Sequence, residues 1–244
     1  MTMLRITRLV SFMIFCCFLL QATLVSAAGK FTLISTADLK QKLDAKEPLI
    51  LVNALSSIEH NELAIAGSIN IPSNRVTADN PLMPADKAGL LIFYCKGPKC
   101  TKSKEAADKA MALGYTNVMV YDEGLPDWAK NRYPVETHVD YPKIEFPRLA
   151  PKDVQAQAAS AVLLDIRGEE VIEVGKIKGA INISLADLDQ KFDTLPKDKK
   201  IIIIDHAGKQ VNICGKFLTM KGCTDLAVME GGVLAWKRDG LPTE

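Results

Sequence analysis

Histidine is scarce, with three in 244 residues and none at a ligand-like spacing. Imidazole is the commonest protein metal ligand, so this scarcity argues against a metal centre. An excess of either charge is also lacking. Lys plus Arg number 30 and Asp plus Glu 29. That balance gives no electrostatic footprint for nucleic acid, and no long basic run supplies one. None of the six cysteines forms a C-x-x-C pair, so a zinc ribbon is disfavoured. No apolar-small-small triplet precedes Cys16 or Cys17, which removes the signature of a lipoprotein anchor. Neither a metal nor a cofactor is expected.

What is present begins at the N-terminus. Arg5 and Arg8 precede an uncharged apolar run, Leu9 to Leu20, and small residues follow at Val25-Ser26-Ala27-Ala28. This pattern reads as a secretory signal peptide over residues 1–28, cleaved after Ala27 or Ala28. It predicts an exported, periplasmic protein. A membrane association follows only if the segment stays uncleaved, since no charge appears from Leu9 through Gly29. Cleavage leaves Cys95, Cys100, Cys214 and Cys223. An even count in an exported chain suggests disulfides. A chain of this length builds its own core, however, and does not require them.

The rest of the chain repeats itself. Gly67-Ser68-Ile69-Asn70-Ile71 recurs as Gly179-Ala180-Ile181-Asn182-Ile183. The apolar run ending at Asn53 recurs ending at Asp165, and the run ending at Cys95 recurs ending at Asp205. Gly124 and Trp128 match Gly232 and Trp236. Four landmarks in one order indicate two copies, residues 29–136 and 151–244. Residues 137–150 hold Pro142 and Pro147 just before Pro151 and lack helical periodicity, so they read as an extended linker. Short apolar runs at Leu49–Val52, Leu90–Tyr94 and Asn117–Tyr121 suit strands buried on both faces of a parallel sheet. A helical pattern over Lys102–Leu113 stops at Gly114. The second copy repeats this with Ile201–Ile204, a helix through Met220, and Leu226–Met229. The fold class is therefore α/β, two domains each built on a parallel sheet flanked by helices.

Cys95 ends a strand and is followed by Lys96-Gly97-Pro98-Lys99-Cys100-Thr101, after which a helix begins. Free N–H groups at a helix start favour an anion, so the Cys95 pKa is expected to fall. Lys96 and Lys99 add charge that favours a thiolate and an anionic substrate. Gly97 lets the backbone turn back. Cys214 and Cys223 read as buried small side chains, and both tryptophans as core anchors.

The order of these landmarks resembles the rhodanese family over nearly all of the chain after its N-terminal segment, twice. The second copy has Asp165, Arg167, GAINI, GGVLAW and Gly240-Leu241-Pro242. The first has Glu59, GSINI, the cysteine loop, EGLPDW and Tyr133-Pro134-Val135. The resemblance implies a sulfurtransferase in which Cys95 is catalytic. Lys96, Gly97, Lys99, Cys100 and Thr101 would line the substrate site. Sulfur would pass from a small anionic donor such as thiosulfate, through a Cys95 persulfide, to cyanide, a thiol or a protein acceptor. Rhodanese-like phosphatases use a loop one residue longer that ends in arginine, whereas the corresponding residue here is Thr101. The first copy departs from the pattern at Asn53 and Leu55, where Asp and Arg are usual. The second has Asp205 where the cysteine belongs, so it reads as catalytically silent. Two other functions fit the same loop: a sulfur or chalcogen carrier with little turnover, and a dithiol redox protein using Cys95 and Cys100.

Overall fold

The computed structural model describes residues 31–172 and 175–244. The expected signal segment lies outside the described residues. The first sheet contains β1 (Thr32–Leu33), β2 (Leu49–Asn53), β4 (Ile69–Asn70), β5 (Leu90–Tyr94) and β6 (Val118–Tyr121). Its order is β1-β6-β5-β2-β4, and every pair is parallel. The second contains β8 (Arg148–Leu149), β9 (Val162–Asp165), β10 (Ile181–Asn182), β11 (Ile201–Ile204) and β12 (Leu226–Met229), in the order β10-β9-β11-β12-β8. Strand for strand this is the same sheet, so the repeat in sequence is a repeat in structure. A small antiparallel pair, β3 (Ala64–Ile65) with β7 (Val135–Glu136), lies beside the first sheet.

The strands fall where the apolar runs place them, because parallel strands are covered on both faces. All four isoleucines of β11 are fully buried. Leu91 and Phe93 of β5 pack with Ala106, Ala107 and Ala110, while Ile92 and Tyr94 pack with Leu39 and Trp128 on the opposite face. The alanine face belongs to the helix Lys102–Ala112, one residue shorter than expected. The Trp128 indole N–H donates to the Pro134 carbonyl at 2.9 Å, and that of Trp236 to Pro242 at 3.0 Å. Both tryptophans thus anchor the core in equivalent ways. The proline-rich stretch is not wholly a linker, because its Arg148 and Leu149 form the edge strand of the second sheet.

The two domains share an interface of both apolar and ionic contacts. Helix α2 (Ser57–Glu62), which follows helix α1 (Thr36–Asp44), sends Ile58 into the core of the second domain. Burying one such side chain stabilises by about 2–3 kcal/mol. Arg75 reaches across to Asp189 at 2.7 Å, and Lys216 reaches Glu62 at 3.0 Å. The backbone N–H groups of His138 and Val139 both donate to the Asn61 carbonyl, which ties residues 138–139 to α2.

Candidate active site

The carboxyl end of β5 delivers Cys95 into the loop that precedes the helix Lys102–Ala112. The loop is closed by a Cys100 N–H to Gly97 carbonyl bond of 2.8 Å. It rests on Gly124, which has φ +67° and lies so close that a β-carbon there would sit 2.5 Å from the Gly97 nitrogen. This close approach lets the Leu125 N–H reach the Cys95 carbonyl at 2.9 Å. Gly232 supports the loop after β11 in the same way, and Val233 N–H donates to the Asp205 carbonyl at 2.9 Å.

The two loops face each other across a cleft of about 340 Å³ between the domains. Lys96, Lys99, Cys100 and Thr101 line it from the first domain, and His206, Lys209 and Gln210 from the second. Leu55 and Ile166 supply apolar wall. Of the residues singled out by sequence, Gly97 is buried beneath the loop and Cys95, 1% exposed, lies behind Cys100. The Thr101 hydroxyl donates to Glu105.

The cysteines behave as a pair. The Cys95 Sγ lies 3.2 Å from the Ser103 hydroxyl and 3.4 Å from the Cys100 carbonyl, and it hydrogen-bonds the Cys100 sulfur. The expected fall in the Cys95 pKa is not found. The hydrogen bond and burial push Cys95 far above the ordinary thiol range, and the charge on Cys100 adds to this. Cys100 instead falls to about 6, first because the Cys95 thiol donates to it. Burial opposes this fall, whereas the N–H groups of Lys96 and Lys102 favour it. The helix start does favour a thiolate, but its Lys102 N–H and the loop N–H of Lys96 point at the second sulfur, while that of Ser103 points at the first. The first proton lost therefore belongs to the pair.

Sequence reasoning missed the surroundings of Glu59. This residue is fully buried at the third position of α2 and closes a capping box with Ser56, whose Oγ donates to Glu59 Oε2 at 2.7 Å. Its other oxygen, Oε1, is 3.0 Å from Lys96 Nζ and accepts the Gln210 side-chain N–H at 3.0 Å. Burial raises its pKa, but Lys96, Gln210 and Ser56 together hold it below the ordinary value. The Ser-x-x-Glu spacing of Ser56 and Glu59 was a readable signal for the cap, though not for the two partners beyond it.

In the second loop the Asp205 carboxylate takes up the backbone donors. It accepts the N–H of Gly208 and, at 2.7 Å, that of Gln210. Behind it, Asp165 and Arg167 form a buried pair with contacts of 2.9 and 2.7 Å. The first domain has Asn53 and Leu55 there; Asn53 accepts the Leu55 N–H at 2.9 Å, as Asp165 accepts that of Arg167 at 3.1 Å, but Leu55 brings no guanidinium. Cys214 and Cys223 are both buried in the second core.

The rhodanese-like domain family matches residues 35–131 and 150–239. The YtwF protein of Bacillus subtilis is 36% identical over 81 residues, which are 33% of this chain and 77% of that protein. The thiosulfate sulfurtransferase GlpE of Actinobacillus succinogenes is 30% identical over 88 residues, 36% of this chain and 79% of that one. Among solved structures, a thiosulfate sulfurtransferase from Pseudomonas aeruginosa aligns with 88% of this chain and 43% of its own, at 22% identity and a TM-score of 0.40. The doubled family match, together with two sheets of one topology, gives the assignment: the chain belongs to the rhodanese-like family of sulfurtransferases and carries its domain twice.

Proposed function

We propose that the protein is exported to the periplasm and transfers sulfane sulfur from thiosulfate, or a similar small anion, to a thiol or cyanide. The observation that carries this reading is a cysteine loop at the carboxyl end of β5, opening onto a cleft lined by Lys96 and Lys99. The cysteine pair holds one proton fewer than two at neutral pH. A proton moved from Cys95 to Cys100 places the charge on Cys95. That thiolate attacks the outer sulfur of thiosulfate, the S–S bond breaks, and sulfite leaves with the bonding electrons. Lys96 and Lys99 favour the anionic donor, while the folded loop of Gly97, Cys100 and Thr101 shapes the site. An acceptor thiolate then attacks the terminal sulfur of the persulfide and Cys95 departs as thiolate.

Mass spectrometry of the protein after exposure to thiosulfate tests this reading. A sulfur adduct on Cys95, absent from Cys95→Ser, is expected. An adduct retained in that variant would overturn it.

A dithiol redox function is the second reading, favoured by the hydrogen bond between the two sulfurs. Mild oxidation with peptide mapping separates the two readings. A Cys95–Cys100 disulfide with a defined reduction potential and no thiosulfate adduct would select the redox function.

A further inference from the structure

Lys96 is the loop's second residue, and its ammonium stands at the cleft with those of Lys99, Lys102 and Lys209. Its side chain is 42% exposed, so a lone lysine there would sample many rotamers. It does not stand alone. Its ammonium is held by Glu59, whose side chain is 0% exposed and whose other oxygen is fixed by Ser56. The remaining donor to Glu59 comes from the other domain, 151 residues along the chain.

We propose that Gln210 is a positioning residue for the active-site loop: it fixes the buried Glu59 carboxylate and, through it, the Lys96 ammonium at the cleft. The degenerate second loop thereby completes the site of the first. Gln210 is well suited to this task because its own backbone N–H is bound to Asp205, so the side chain leaves from a fixed origin. An amide also adds no charge that would compete with Lys96 for the carboxylate. Without Gln210, Glu59 Oε1 is left with Lys96 among the described residues, and the domain closure that sets their separation loses a cross-interface bond. The consequence for catalysis rests on the sulfurtransferase reading, but the placement of the charge does not.

The test therefore reads charge at the cleft directly. The full-length protein is alkylated at low salt with iodoacetate, an anion, and with iodoacetamide, which is neutral, and the modified cleft cysteine is mapped. The ratio of the two rates reports the positive potential at the thiol. Lys96→Gln should lower this ratio about threefold, the effect of one charge several ångströms away in solvent-like surroundings. Gln210→Ala should lower it by a smaller factor, because the ammonium is loosened rather than removed. Gln210→Met, which keeps the side chain's length, should do the same should the alanine variant fail to fold. In a Lys96→Gln background neither substitution should lower the ratio further, because both act through the one ammonium. An unchanged ratio in the Gln210 variants, or an equal additional loss in the Lys96→Gln background, would overturn the proposal. With thiosulfate as donor, Gln210→Met should raise KM and leave kcat nearly unchanged. A parent protein that forms no thiosulfate adduct would sink the sulfurtransferase reading while leaving the alkylation ratio to judge Gln210.

Discussion

Replacing Cys100 by alanine should abolish the low-pH ionisation of the cleft. Cys100 falls to about 6 chiefly because the Cys95 thiol donates to it, helped by the N–H groups of Lys96 and Lys102. At pH 7 such a pair is about nine-tenths singly ionised, by the ordinary titration relation. In the variant Cys95 loses the hydrogen bond and the charge that raised it, so its own pKa comes down. It does not come down to 6, since burial still raises it and only its hydrogen bonds with Ser103 oppose that. An ordinary thiol near 8.5 is about 3% ionised at pH 7, so the thiolate population should drop about thirtyfold. The assay is thiolate ultraviolet absorbance against pH. Cys214 and Cys223 do not interfere, because burial raises both. Sulfur loading of Cys95 in the variant should follow the new titration and rise only above about pH 8. A variant that still titrates near pH 6 would refute the shared proton and give the thiolate to Cys95 alone.

Three further outcomes are expected. His60 stacks on His138 at 4.9 Å, and burial, with a smaller push from His138 against a pull from Glu136, lowers its pKa to about 4. The unfolded chain therefore binds a proton between about pH 6.5 and 4 that the folded chain refuses, and stability should fall with pH across that window by up to about 2 kcal/mol. His60→Leu should flatten this limb of a denaturation series, and an unaltered limb would exonerate His60. Gly124→Ala should cost at least about 2 kcal/mol in a denaturant titration and displace the loop, because φ is +67° and the new carbon meets the loop backbone. Arg75→Ala removes contacts with Asp189 and the Ala186 carbonyl, so it should loosen the domains by about 1–2 kcal/mol. Limited proteolysis within residues 137–150 should then quicken, and an unchanged cleavage rate would count against this interface.

The sheets were legible because buried parallel strands are written as unbroken apolar runs. Leu90–Tyr94 and Ile201–Ile204 appear with the ends expected of them. The doubled landmarks made the equivalence of the domains legible as well. The linker was less so: Arg148 and Leu149 look like any extended residues until a neighbouring strand, β12, supplies their partners. At the site, the strand-loop-helix placement announced a stabilised thiolate without saying which sulfur receives the N–H groups. That depends on how a loop of a few residues curls, a matter of ångströms that spacing does not encode. The partnership of Glu59 with Gln210 depends on how two domains dock, and no local pattern around either residue carries that information.

The Asp205 carboxylate sets the two loops apart in what fills them. A loop folded around inward-pointing N–H groups is unfinished without a negative charge at its centre. In the second domain that place is taken by the Asp205 side chain, which is part of the chain itself. In the first the charge belongs to a sulfur, and on the proposed reading it would be redistributed as proton, persulfide and acceptor succeed one another. The first loop would then have to accommodate a changing occupant, while the second is wound around a side chain of its own.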